Sequence, residues 1–476
     1  MNTVIIKGYG TFKVRKGTRL IECLVKNSIP VIAACAGNGR CGSCRVKIIQ
    51  TIEPPNKQDM LFIPQNLIEK GFRLACQYKI ARNIRVEIPK ISKKTSIVRS
   101  KRNCGLALDI GTTVIKGATV NLKTGYTQRE SRVYNLQNSI GGDVLTRVGA
   151  ALNGKYDLLY KLLNSSLKKL KNNLGIPHPV FTAIVGNPVM LAFYLCKPVD
   201  GFAHYPFSGS ITRGKIFKNP ARYVFPIIGG FVGGDTVSGI LASRLYKKSQ
   251  NSLYIDLGTN GEVILIRNRK IFATSTAAGP AFEGIGISCG CLAIPGAIDR
   301  VSYSKGKIHF RTIGNKKPQG LCASGLIDLL GILLEQNMLK ANGRLKNDIN
   351  LSSVTINQND IRKLQLAIGA IHSGVEILLR KARIKSSSIN RAVITGEFGS
   401  KLDVNALFNI GLLPRGIKNT VFKKDLPLLG AIEAIQDIRT FDKLETIRRQ
   451  SIHIDLAAQP DFQNVFVSSL NLAPWE

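Results

Sequence analysis

An apolar strand that ends in aspartate, turns through Gly-Thr and leaves as a second strand occurs twice in this chain. The first copy reads Gly105-Leu-Ala-Leu-Asp109-Ile-Gly111-Thr112-Thr113-Val-Ile-Lys116. The second, Leu253-Tyr-Ile-Asp256-Leu-Gly258-Thr259-Asn260-Gly261-Glu-Val-Ile, follows 147 residues later. A single Asp-x-Gly-Thr carries little information, because turns use these residues freely. Two copies in the same context predict a duplicated domain whose halves face each other across a cleft. Backbone N–H groups and hydroxyls of such tight turns can cradle phosphate oxygens. An aspartate at each strand end can hold a hydrated Mg²⁺ between the phosphates, since Mg²⁺ keeps its waters and takes few carboxylates. The Gly-x4-Gly-Lys-Ser/Thr phosphate loop is absent, so this is a different way of holding a nucleotide.

A second constraint lies near the N-terminus. Cys35, Cys41 and Cys44 crowd into ten residues of mostly glycine and small polar side chains, and Cys76 follows downstream. A loop with so little side chain to pack needs something else to organise it, and its glycines can turn backbone N–H groups toward a buried anion. A thiolate-ligated iron–sulfur cluster is such an anion and takes four cysteines. The spacing Cys-x5-Cys-x2-Cys…Cys is one residue longer than the plant-type run and resembles that of adrenodoxin-like 2Fe-2S ferredoxins. A zinc ribbon would favour two separated Cys-x2-Cys pairs, and only one is present. Disulfides are the other rival; ten cysteines spread over a long chain with no recognisable signal peptide point instead to a reducing compartment.

Residues 1–90 read as short strands with one helix. Val4-Ile-Ile and Phe12-Lys-Val-Arg form a hairpin about Gly8-Tyr-Gly10, and a helix opening at Thr18 buries Leu20, Cys23 and Leu24. The order resembles the β-grasp of ferredoxins. Residues 91–104 carry basic residues and no acid, which predicts a solvated linker, or in a sharper reading a docking segment. The expected division is therefore a 2Fe-2S domain over 1–90, a basic linker over 91–104, and the two halves of the duplicated domain over 105–250 and 251–476.

The net charge of +37 has the sign of a nucleic-acid binder. The basic residues are scattered, however, and no nucleic-acid-binding pattern accompanies them. An acidic protein partner accounts for the charge as well, and compositional drift toward lysine remains an alternative. No apolar run reaches the roughly 18 residues of a membrane span, and the expected location is the cytoplasm.

The paired turns resemble the two phosphate motifs of the actin/Hsp70/sugar-kinase ATPases, which have a duplicated ribonuclease-H-like fold of the α/β class. The resemblance implies a third, adenosine-binding piece, and Ala392-Val-Ile-Thr-Gly396-Glu-Phe-Gly399 is placed for it, although Glu397 stands where relatives usually have glycine. An α+β ferredoxin module coupled to this ATPase resembles the ATP-dependent reductive activators of corrinoid proteins. Gly141-Gly-Asp143-Val-Leu-Thr-Arg147, Gly186-Asn-Pro-Val-Met190, Gly233-Gly-Asp235-Thr236, Gly279-Pro-Ala-Phe-Glu283-Gly284 and Leu413-Pro-Arg-Gly416 agree with that family. One difference is expected: larger relatives insert a middle domain after the linker, whereas here the ATPase follows almost directly.

The resemblance implies Cys35, Cys41, Cys44 and Cys76 as cluster ligands, and Asp109, Asp235 and Asp256 at the Mg²⁺ or the attacking water. It implies Gly111, Thr112, Thr113, Lys116, Gly258, Thr259, Asn260, Gly261, Gly396 and Gly399 around ATP. Asp235 equally reads as a helix cap, Lys116 as an exposed strand residue, and Glu283 as a base or a subunit contact. Cys289, Cys291 and Cys322 read as buried thiols. The C-terminal Phe466-Val-Ser-Ser-Leu segment is expected to pack back on the ATPase or to support a homodimer. The implied function is transfer of one electron, taken from a low-potential donor, to a partner's Co(II), giving Co(I). The alternatives are a redox-sensing protein whose ATPase times partner release, and a plain ferredoxin-type carrier with a degenerate ATPase.

Overall fold

The computed structural model describes the chain except for residues 28, 30, 32–36, 38, 40–41, 43, 51–52, 64, 89–102, 210, 248–249, 397–401 and 476. Cys35 and Cys41, expected as cluster ligands, nearly all of the expected linker, and Glu397 and Gly399 of the expected adenosine piece thus lie outside the described residues.

The N-terminal strands are β1 (Asn2–Ile6), β2 (Gly10–Val14), β3 (Arg45–Gln50), β4 (Phe72–Leu74) and β5 (Ile84–Glu87). They form one sheet in the order β2-β1-β5-β3-β4, in which only the β1–β5 pair is parallel. Alternation puts Val4, Ile6, Val46, Ile48, Ile84 and Val86 on the buried face. Helix α1 (Leu20–Lys26) packs there through Leu20, Cys23 and Leu24, which gives the β-grasp arrangement. The helix starts two residues later than the sequence suggests. Arg19, not Thr18, is its N-cap; no side chain caps it, and an Arg19–Glu22 ion pair of 2.7 Å spans the first turn instead. Two short helices, α2 (Lys57–Phe62) and α3 (Gln65–Ile68), lead to β4.

The rest of the chain is built on two six-stranded sheets of matching design. In the first, β6 (Cys104–Ile110), β7 (Val114–Asn121) and β8 (Thr127–Tyr134) form an antiparallel meander. Beyond β6 lie β9 (Phe181–Gly186), β10 (Lys215–Phe217) and β11 (Arg222–Val224), in the sheet order β10-β11-β9-β6-β7-β8. In the second, β12 (Ser252–Leu257), β13 (Gly261–Arg267) and β14 (Lys270–Thr276) repeat the meander. A three-stranded sheet of β15 (Ala297–Ser304), β16 (Lys307–Thr312) and β17 (Gly320–Leu321) and the hairpin β18 (Ile349–Leu351)–β19 (Val354–Ile356) intervene. Then β20 (Arg391–Gly396), β21 (Asn419–Phe422) and β22 (Ser451–His453) complete the order β21-β20-β12-β13-β14-β22. In each half a parallel strand pairs with the first meander strand, β9 with β6 and β20 with β12. The correspondence is that of a duplicated ribonuclease-H-like fold.

The helices follow the same correspondence. The 19-residue helix Tyr156–Leu174 covers the first meander with Leu159, Leu162, Leu163, Leu167 and Leu170, a 3.6-residue stripe closed by Gly175 in the left-handed region. The 25-residue helix Gln358–Ala382 does this for the second, opened by a capping box between Asn357 and Asp360. Helices Gly234–Ser243 and Leu426–Gln436 lie between the sheets. Ala107, Val120 and Ala183 of the first sheet and Tyr254, Ile264 and Val393 of the second belong to one apolar cluster around them.

The C-terminal segment packs back on its own chain. Helix Phe462–Ser468 lies on Gln358–Ala382, the Leu472 N–H donates to the Ala341 carbonyl at 2.8 Å, and Trp475 Nε1 donates to the Gly411 carbonyl at 2.9 Å. No helix among the described residues is long and apolar enough to cross a membrane.

Candidate functional site

The two Asp-x-Gly-Thr turns meet at the cleft between the sheets. Thr113 Oγ1 and Thr259 Oγ1 stand 3.0 Å apart, and both approach Glu283 Oε2, at 2.9 and 2.8 Å. Asp109, Gly111, Thr112, Thr113, Lys116, Asp235, Asp256, Gly258, Thr259, Asn260, Thr395 and Gly396 line this cavity. Gly261 starts the strand that leaves the second turn. Gly111 is required by close approach, since a Cβ there would run into the Val114 carbonyl oxygen. Gly396 ends β20 beside Leu257, with φ of 148°, where glycine is favoured.

Charge is the dominant property of the cleft. Burial, then Asp109 and Asp256, push the Asp235 carboxyl up to about 8, while the Thr236 N–H on its Oδ1 at 2.7 Å opposes them. Glu262, on β13, is held well above the carboxylate range by burial and by Asp235 and Asp256. In both carboxyls burial is the larger cause, and the neighbouring carboxylates add to it. The carboxylates influence one another, yet among the described residues no three His, Cys, Asp or Glu side chains form a direct metal-ligand set.

Asp235 is not a helix cap. Gly233 holds that position, and Asp235 sits in the first turn, where its Oδ1 accepts the Thr236 N–H and its carboxyl is within electrostatic reach of Asp109 and Asp256. Lys116 is largely buried rather than exposed on its strand, with its ammonium 2.6 Å from Asp425 Oδ1. Between the ordinary value of 3.8 and about 8, the folded chain keeps a proton on Asp235 that the unfolded chain has lost, so this group's contribution to stability falls as pH rises through that window. Asp235→Asn, which cannot ionise, is expected to flatten the decline in thermal midpoint between about pH 6 and pH 8. An unchanged slope in a melting series over pH would contradict this.

Sequence reasoning missed the part played by Arg147. Its side chain is fully buried, and it donates to the Thr112 carbonyl at 2.7 Å, Asn138 Oδ1 at 2.8 Å, the Gly141 carbonyl at 3.0 Å and Gln137 Oε1 at 3.1 Å. It therefore fixes the first turn from behind. Burial lowers its guanidinium to about 9, partly offset by Asp143 and Glu283. The available signal was a lone arginine between Val144 and Val148 on the buried face of helix Val144–Ala150. Asn187, another missed residue, donates to Thr112 Oγ1 at 2.9 Å and accepts the Met190 N–H, so it caps one helix and orients one hydroxyl. Glu283 proves to be the group that ties the two turns together.

In the N-terminal module, Cys44 and Cys76 are both buried, and the Cys76 N–H approaches Cys44 Sγ at 3.5 Å. Gln77 Nε2 lies 3.6 Å from Cys76 Sγ. N–H groups directed at cysteine sulfur suit thiolates that share an anionic cluster. Gly42, at φ of 68°, brings the loop against Phe62, where a Cβ would lie 2.9 Å from the Phe62 Cβ. The described half of the ligand set thus fits a cluster. Cys289, Cys291 and Cys322 are thiols, and burial raises the pKa of Cys289 and of Cys291, the latter to about 12, which opposes thiolate ligation.

Comparison with known proteins accounts for the same regions. A 2Fe-2S iron–sulfur cluster binding domain matches residues 4–81, the RACo middle region matches 104–248, and the C-terminal domain of RACo, the ASKHA domain, matches 250–475. The RACo middle region covers the stretch that forms the first of the two six-stranded sheets, directly after the linker. The corrinoid activation enzyme RamQ of Eubacterium limosum is 29% identical, over 89% of this chain and 78% of that protein. The Co(II) methylated amine-specific corrinoid protein reductase of Methanosarcina barkeri is 25% identical, over 77% of this chain and 76% of that protein. The solved structure titled reductive activator for corrinoid, iron-sulfur protein superposes with a TM-score of 0.72 over 100% of this chain and 99% of the other. At 23% identity, that likeness concerns the fold.

Proposed function

The chain belongs to the RACo family, whose ferredoxin-type, middle and ASKHA domains it carries in order, and from that premise we propose that it is an ATP-dependent reductive activator of a corrinoid protein. One observation carries the reading: paired Asp-Gly-Thr turns close on a carboxylate-rich cleft through Thr113 and Thr259, in a chain whose N-terminal module brings Cys44 and Cys76 together.

In this reading the backbone N–H groups of the two turns and the hydroxyls of Thr112, Thr113 and Thr259 receive the phosphates, with Thr395 and Gly396 toward the nucleoside. Asp109 and Asp256 would hold hydrated Mg²⁺, which when bound would supply positive charge beside Asp235, whose proton is kept by burial and by these two carboxylates. Once ionised, Asp235 can orient and deprotonate the attacking water. Lys116, paired with Asp425, supplies positive charge at the edge of the cleft. Cys35, Cys41, Cys44 and Cys76 would hold the cluster, which when bound would supply one-electron chemistry at about −400 mV if it behaves as a plant-type centre.

The reaction takes one electron from a low-potential donor and gives it to the partner's Co(II), which becomes Co(I), while ATP and water yield ADP and phosphate. Reduction to Co(I) is harder than that potential allows, so the nucleotide must favour one state of the complex over another. Tight binding to both states would shift nothing. The charge of +37 suits an acidic partner surface, and the thiolate set suits the reducing cytoplasm.

The deciding experiment mixes the reduced, cluster-loaded chain with a Co(II) corrinoid protein, with and without MgATP, and follows the cobalt absorption. Co(I) is expected to accumulate only with MgATP. Equal accumulation without it would overturn the proposal.

A further inference from the structure

Arg45 follows Cys44 directly and stands between the cysteine loop and the segment that begins at Glu283. Its Nε donates to the Gly42 carbonyl at 2.8 Å, inside the cysteine loop. Its Nη2 donates to the Ser288 carbonyl at 3.1 Å, in the C-terminal half of the chain. One planar guanidinium thus joins two carbonyls 246 positions apart in sequence, a task suited to its fixed fork of donors.

Ser288 is itself held. Its N–H and hydroxyl both donate to the Asp360 carboxylate, each at 2.6 Å, and Asp360 also belongs to the capping box of the helix Gln358–Ala382. Five residues before Ser288 stands Glu283, which receives Thr113 and Thr259. The stretch 284–291 that contains Ser288 is closed on itself: Gly284, at φ of 71°, lies so close to the Cys291 backbone that a Cβ would collide with it, and Gly290 lies as close to Gly284. A displacement of Glu283 therefore has little slack to absorb it before Ser288.

Glu283 occupies a contested place. Two threonine hydroxyl protons serve three close contacts among Thr113, Thr259 and the carboxylate. Phosphate oxygens entering the cleft compete for those protons and repel the carboxylate at short range. We infer that Arg45 is a positioning residue through which occupation of the phosphate cleft, by way of Glu283 and the 284–291 segment, alters the hydrogen bonding at the Gly42 carbonyl, two residues from Cys44. This rests on the activator reading, which requires nucleotide in that cleft. The charge and hydrogen bonding around the sulfurs are the terms that set a cluster's potential, so a guanidinium shared between Gly42 and Ser288 is placed to change it.

The test uses the full chain, cluster-loaded, without any corrinoid partner. The reduction midpoint and the EPR spectrum of the reduced state are recorded with and without the non-hydrolysed analogue AMP-PNP and Mg²⁺. In the wild type the reduction equilibrium is expected to move about tenfold on nucleotide binding, which is about 59 mV for a one-electron couple. Arg45→Ala is expected to load its cluster, bind nucleotide and lose that difference. Arg45→Lys restores charge without the two-carbonyl bridge and is expected to lose it as well; recovery by lysine would reduce Arg45 to a simple charge and overturn the inference. If Arg45→Ala fails to load, Asp360→Asn decides from outside the ferredoxin module, since it leaves one neutral acceptor for the two Ser288 donors and so loosens Ser288, and it too should abolish the difference. A full difference in Arg45→Ala, or in Asp360→Asn where that variant decides, overturns the inference, as does a wild type that binds nucleotide and shows no difference. A wild type that binds no nucleotide sinks both this inference and the activator reading. A difference without corrinoid reduction sinks only the activator reading.

Discussion

Asp109→Ala is expected to slow MgATP-dependent formation of Co(I) by about 100-fold or more, as removal of one preorganised electrostatic contact at a reacting centre does elsewhere. Asp109 ends β6 at the floor of the cleft, within electrostatic reach of Asp235. Its loss removes one of the two strand-end carboxylates proposed to hold the water shell of Mg²⁺, and with it part of the charge that the cation must balance. The visible absorption of the cluster should not change, because Cys44 and Cys76 belong to the core of the N-terminal module and Asp109 to that of the first six-stranded sheet. Measured side by side, phosphate release and cobalt reduction should fall together. Intact reduction with lost phosphate release would favour the rival reading, in which the ATPase merely times departure of a partner.

A loss of several kcal/mol in stability is expected for Arg147→Ala, since each buried acceptor left without its donor costs about 1–3 kcal/mol. The substitution strands the Thr112 and Gly141 carbonyls and the side-chain oxygens of Gln137 and Asn138 in a dry interior. Because Thr112 belongs to the first turn, nucleotide affinity should fall along with the thermal midpoint. Calorimetry with and without nucleotide separates the two effects. A variant with wild-type melting would mean that water replaces the guanidinium without cost.

The duplicated turns and the β-grasp order were legible because each is a local pattern. Alternation marks the strands, and strand-end aspartates with Gly-Thr turns repeat in a fixed context. The partners of those turns were not legible in this way. Glu283 reaches Thr113 across 170 positions, and Asn187 reaches Thr112 across 75; nothing in a linear pattern distinguishes such a contact from a chance glutamate or asparagine. Arg147 was hidden for the opposite reason. Hydropathy assigns arginine to the surface, whereas here four oxygen acceptors permit its burial. Asp235 was legible as a member of a helix-opening Gly-Gly-Asp-Thr, but whether it capped the helix or faced the cleft depended on where Gly233 left the preceding loop.

The two sheets bury their inner faces against the same pair of helices, Gly234–Ser243 and Leu426–Gln436, and so share one apolar cluster. Each half, removed from the other, would leave residues such as Ala183 or Val393 facing water. The repeat that reads as two units along the chain is accordingly one cooperative unit in thermodynamic terms, with a single melting transition across both. A substitution in either copy is therefore felt by both, and the copies are bound to change in concert even where their sequences have long ceased to look alike.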